Sequence, residues 1–218
     1  MNPIRLLTLT ALALTLTGCA FQHRETSRQL DHGEWVVGAA LDVPGGLEGY
    51  GPYLSWAEAR LATTRLSAGA TYGILGRGDA SLFVGTTQVS RNVGLSGRYY
   101  ATDWLNVGLQ TDFMHLMNAV TLTPRLATTT TPERWYYGGL QTTLFFGTEE
   151  QERFDFFGGT LGLLVGAEHI THRFALPLGL QAEAILSPWY YGQGFGLFHT
   201  TESTPGLYQI GLGAHLRF

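Results

Sequence analysis

The sequence predicts an all-β fold, an antiparallel up-and-down transmembrane β-barrel of about ten strands, with eight as the alternative count. Three observations predict it. First, the last eleven residues alternate strictly: Tyr208, Ile210, Leu212, Ala214, Leu216 and Phe218 on one face, Gln209, Gly211, Gly213, His215 and Arg217 on the other. That is a strand with hydrocarbon on one side and a polar interior on the other. Second, no apolar run after Cys19 approaches the ~20 residues a spanning helix needs, so any crossing has to use closed sheet. Third, charged residues make up only 14% of the 218 residues, against about 25% in soluble domains, while Gly (29 residues) and aromatics (12%) run high.

At the N-terminus, residues 1–17 read as a secretory signal, with one cation (Arg5), a short apolar run from Leu6 to Leu16 and then small residues. Leu16-Thr17-Gly18-Cys19 follows, and Cys19 is the only cysteine, which rules out an intramolecular disulfide. This tetrad resembles a lipobox, the site at which bacterial lipoproteins are acylated on cysteine and cleaved before it. The resemblance implies a signal peptide over residues 1–18 and an N-terminus held to a membrane by two or three acyl chains such as palmitate. Ala20 rather than Asp after the cysteine implies delivery to the outer membrane. Residues 19–33 are polar and without period and are expected to form a lipid-anchored periplasmic tether. From residue 34 to 218 there is no linker or composition break, so one domain is expected.

Within that domain the alternation predicts nine clear strands: 34–43, 50–62, 65–75, 92–101, 104–113, 134–146, 156–168, 173–187 and 207–218. The first two are expected to pair across Pro44-Gly45-Gly46. Gly76-Arg77-Gly78-Asp79 reads as a turn, and Ala101-Thr102-Asp103 as the short turn of the best hairpin in the chain. Nine is odd, whereas single-chain barrels with both termini on one side have even counts, so either 80–90 or 118–133 supplies a strand or one of the nine is not a strand. The longest connection is expected at 188–206, with a continued hairpin through 194–200 as its alternative.

The C-terminal pattern resembles the closing strand of bacterial outer-membrane β-barrels, which end in Phe as part of a signal read by the barrel-assembly machinery. By that resemblance Phe218, Leu216 and Tyr208 carry the signal. Outer-membrane lipid and the assembly and lipoprotein-processing machineries are then the expected partners. Tyr99-Tyr100 with Trp104, Trp135-Tyr136-Tyr137 and Trp189-Tyr190-Tyr191 are expected to form girdles at headgroup level.

Alternation places Glu58, Arg60, Arg65, Arg98, Gln110, Asp112, Gln141, Glu168, Gln181, Glu183, His215 and Arg217 on the inward face. In a narrow barrel such acids and bases pair across the interior, because an unpaired charge away from water is costly. The charges singled out as possible lumen groups are Glu58, Arg60, Arg98, Asp112, Glu183 and Arg217. The alternative is a small polar pore whose wall charges select a small solute of unknown identity; a general diffusion pore needs more strands.

Hydrolase, zinc-protease and phosphate-loop motifs are absent, and all 13 basic residues are arginines, which excludes lysine chemistry. Glu168-His169 with His172 lacks a third firm ligand, and His199, Glu202 and Ser203 have no diagnostic spacing. No catalytic residue, metal or cofactor is therefore expected, and a net charge of -4 without a basic stripe excludes nucleic acid as a partner. Three functional readings remain. The first is a structural or interaction lipoprotein of the envelope. The second is a narrow channel or lipid A-modifying barrel enzyme. The third is a soluble lipocalin-like lipoprotein.

Overall fold

The computed structural model describes Thr26 and residues 28–45, 64–74, 76–87, 91–114, 118–149, 154–193 and 207–218. Ten antiparallel strands occur in chain order: β1 (Trp35–Gly45), β2 (Arg65–Ile74), β3 (Gly78–Thr86), β4 (Arg91–Tyr100), β5 (Leu105–Met114), β6 (Asn118–Thr131), β7 (Arg134–Glu149), β8 (Phe154–Thr171), β9 (Leu178–Gln193) and β10 (Leu207–Arg217). Each pairs with its sequence neighbours, and β1 pairs with β10 from Val36↔Arg217 to Gly45↔Tyr208, closing the barrel. Phe218 adds a last rung, its N–H donating to the Trp35 carbonyl at 2.8 Å and its carbonyl accepting from Trp35 at 3.3 Å. The strand number is even, so both ends of the described chain lie at the same end of the barrel. Here that end is called the terminal end.

The count of ten agrees with expectation, but its composition does not. Both edges of β1 are occupied, one by β10 and the other by β2, as in Trp35↔Tyr72 and Asp42↔Arg65. The expected partner of the first strand, residues 50–62, lies outside the described residues, and the described edges of β1 are taken by β10 and β2. Both undecided stretches contain strands instead, β3 and β6. Asp79, expected in a turn, is the second residue of β3; the turn is earlier, where Gly76 has φ 69°, a left-handed conformation natural to glycine. β9 starts at Leu178 rather than 173 and runs to Gln193, with Trp189↔Leu161 and Tyr191↔Gly159 paired on β8, so 188–193 is strand rather than loop.

Polarity is inverted relative to a soluble barrel. Large apolar side chains such as Leu66, Leu82, Leu95, Val165 and Leu212 stand exposed on the exterior, while Arg98, Asp112, Thr143, Gln141 and Glu168 are buried inside. Membrane barrels require this pattern, and the sheet's closure consumes the backbone polar groups that lipid cannot satisfy. Exposed Trp35, Tyr99, Trp104, Tyr136, Phe174 and Phe218 ring the terminal end. Because side chains alternate, only one member of each adjacent aromatic pair joins this girdle. Tyr100 and Tyr137, expected in it, point inward and are buried. The side chains of residues 189–191 lie outside the description.

Candidate functional site: a polar lumen with an occupied mouth

Among the described residues, charge clusters occur at both ends of the lumen. At the far end, Asp112 on β5 is fully buried. It accepts from Gln110 Nε2 at 2.6 Å and from Asn92 Nδ2 on β4, with Arg65 Nη2 of β2 at 3.6 Å. The Arg65 guanidinium also sits 5.7 Å from the Phe83 ring centroid. Phe83 fills the centre of this wall because its neighbour on β4 is Gly94, where any Cβ would collide with the ring.

At the terminal end, Arg98 on β4 makes a two-pronged ion pair with Asp79 on β3. Its Nη2 is 2.7 Å from Oδ2 and its Nε is 3.1 Å from Oδ1, with both side chains buried. Tyr100 donates to the same carboxylate at 3.0 Å. Arg217 on β10 places Nε and Nη2 each 2.8 Å from Glu34 Oε1, locking the last strand to the residue that precedes the first. Hydroxyl pairs, Thr71 with Ser81 at 2.8 Å and Thr121 with Thr143 at 3.0 Å, tie neighbouring strands between the ends.

Part of the segment expected as a tether lies inside this mouth. Thr26 and Leu30 are both fully buried. The Thr26 hydroxyl donates to Glu168 Oε1 on β8 at 2.7 Å, and its carbonyl accepts from Arg98 Nη1 on β4. Those strands stand four apart in a ring of ten, so one residue of the N-terminal segment joins nearly opposite walls. His215 Nε2 is 3.0 Å from the same Glu168 oxygen. Lower down, Tyr100 donates to the Arg28 carbonyl at 3.3 Å and Gln29 donates to the Gly76 carbonyl. The segment then leaves across β2, where Gly73 is the position at which a Cβ would strike the Asp31 carbonyl. Thr26, Glu168 and His215 resemble the parts of a hydrolytic triad, but the carboxylate stands between hydroxyl and imidazole. A triad needs the imidazole there to take the proton, so these three residues do not have the order of a Ser-His-Asp triad.

Of the residues singled out from sequence, Arg98 and Arg217 belong to the terminal-end network and Asp112 to the far-end cluster, so they are not brought together as one site. Glu183 is buried in the lumen between Gly166 and Gly211 on the flanking strands. Leu216 points outward, pairing with Val37 and Leu178, and Tyr208 pairs with Gly45 and Leu186 near the far end. Cys19, Glu58 and Arg60 lie outside the described residues. Sequence reasoning missed Thr26, Glu34, Asp79, Tyr100 and Arg125. Asp79 and Arg125 were hidden by the turn and loop readings of their segments, and both follow the inward parity once their strands are recognised.

No protein-family model matches the chain, and no curated protein does. Among solved structures it is similar to the N-terminal β-barrel domain of OprF from Pseudomonas aeruginosa, at 11% identity over 86% of this chain and 98% of that one, with a TM-score of 0.36. It is also similar to the translocator domain of the autotransporter NalP from Neisseria meningitidis, at 11% identity over 100% of this chain and 98% of that one (TM-score 0.41). A third is the outer membrane protein Omp33 of Acinetobacter baumannii, at 10% identity over 85% and 98% (TM-score 0.32).

Proposed function

We propose that this chain is a lipoprotein of the bacterial outer membrane with a structural or interaction role, a barrel that spans the bilayer without conducting through it. The terminal end would face the periplasm, with Cys19 acylated there and the far end at the cell surface. One observation carries this reading. Thr26 bridges Arg98 and Glu168 across the terminal mouth, while Arg98–Asp79 and Arg217–Glu34 fix the walls around it. Filling of the mouth in this way supports a narrow barrel without a continuous aqueous path.

The test uses two measurements on the full chain. In planar bilayers the purified protein should give no discrete conductance steps; reproducible steps would overturn the closed reading in favour of a narrow channel. In cells, Cys19→Ser should abolish labelling by radioactive palmitate yet leave the protein in the membrane pellet after carbonate extraction. Release into the supernatant would mean a soluble lipoprotein, and unchanged labelling would remove the lipid anchor.

A further inference from the structure

Four arginines on the described strands face the lumen, and three of them have carboxylates: Arg65 with Asp112, Arg98 with Asp79, and Arg217 with Glu34. The fourth, Arg125 on β6, is only 3% exposed and has no carboxylate partner among the described residues; its guanidinium lies 5.6 Å from the centroid of the Tyr137 ring. Neither Nε nor Nη1 has a hydrogen-bond partner. A guanidinium does not escape burial by losing its proton, and a cation out of water needs a counter-charge or a full set of acceptors. The aromatic face meets the plane of the cation and leaves its in-plane N–H groups unsatisfied.

The surroundings fit a missing ligand. Asn106 is the cross-strand partner of Arg125 on β5, and its Oδ1 is buried without a partner. On the other side the partner is Gly139, where a Cβ would collide with the Pro124 carbonyl, so β7 offers no side chain there. The next inward residue on β7 is Gln141, 1% exposed, with neither Oε1 nor Nε2 hydrogen-bonded. One cation, two amides and a gap enforced by backbone approach therefore occur on three consecutive strands.

We propose that Arg125, Asn106 and Gln141 form a lumenal binding site for a small oxyanion that also carries a hydroxyl group. The oxyanion would accept from the guanidinium and from Gln141, in the charge-assisted geometry that arginine favours. The hydroxyl would donate to Asn106. This goes beyond the reading of a non-conducting barrel and does not depend on it, because a site reached from one mouth needs no path through the other.

Calorimetric titration of the folded full-length protein in detergent tests the site, with glycolate, acetate and inorganic phosphate as probes and chloride as the background anion. Glycolate and phosphate should bind saturably, and acetate more weakly than glycolate. Arg125→Gln should weaken both by at least about tenfold, and Asn106→Ala should bring glycolate down to acetate. Arg134→Gln, an exposed arginine on the next strand, should bind as wild type does. Heat-dependent mobility on gels verifies that each variant is folded. If Arg125→Gln does not fold, Gln141→Ala keeps the charge and should still lower glycolate affinity severalfold. Absence of saturable binding in the wild type, or unchanged binding in Arg125→Gln or in Gln141→Ala, would overturn the proposal.

Discussion

Replacing Leu212 by arginine tests whether the barrel's exterior is solvated by acyl chains. Leu212 is at the middle of β10, paired with Leu41 and Ala182, points outward, and is 58% exposed. In a bilayer a guanidinium at this depth costs about 2–4 kcal/mol, which lowers the folding equilibrium constant by about 30- to 900-fold. In water the same substitution on an exposed surface would change stability by no more than about 0.5 kcal/mol. The two solvents therefore predict outcomes that do not overlap. The measurement is equilibrium folding into phospholipid vesicles along a urea gradient, followed by tryptophan fluorescence and gel mobility. Trp104→Arg serves as the depth control: Trp104 is equally exposed but lies in the terminal-end turn, at the girdle, where the cost falls to about 0–1 kcal/mol. Equal stability of wild type and Leu212→Arg, or cooperative folding of the wild type in lipid-free buffer, would refute the reasoning.

Three further outcomes are expected. Asp79→Asn strands the buried Arg98 cation and should cost about 3–5 kcal/mol by vesicle unfolding; a loss below about 1 kcal/mol would show that water reaches the pair. Gly94→Ala drives a methyl into the Phe83 ring and should destabilise by about 1–3 kcal/mol, and Phe83→Leu in the same chain should recover most of that loss. Removing Phe218 deletes two backbone hydrogen bonds at the seam and should cost about 1–3 kcal/mol in vitro, but should lower the membrane yield in cells far more. Wild-type yield from the shortened chain would end the case for a C-terminal assembly signal.

The legible parts of this fold were those whose two faces differ chemically. In β10 from Gln209 to Arg217 every inward residue is polar or glycine and every outward one apolar, so orientation follows from the residues themselves. β3 blurred that contrast because Phe83 points inward and Thr86 outward. Phe83 fills space that Gly94 leaves empty on another strand, and pairing between strands is not written in local sequence. β6 contains Pro124, whose missing N–H argues against a strand. The ladder to β7 has no pairs at Thr123 and Pro124 and resumes at Arg125↔Gly139, so the defect is local and the strand continues. The same limit applies to β1, whose described partner is β2, since alternation identifies a strand's faces but not its neighbour. The plugged mouth was illegible for a different reason. Thr26 and Leu30 lie in a polar, aperiodic stretch and are buried; the Thr26 partners Arg98 and Glu168 lie 72 and 142 positions away.

The seam between β1 and β10 pairs Val36–Gly45 with Tyr208–Arg217, and the Trp35–Phe218 rung extends it by one residue. Until β10 is in place, the sheet from β1 to β9 is an open ribbon with two bare margins. Closing that ribbon brings together the most distant segments of the sequence and carries the largest loop entropy of any step. Until that step both margins are templates for pairing with another chain, so β10 guards the sheet against edge-to-edge association as well as completing it.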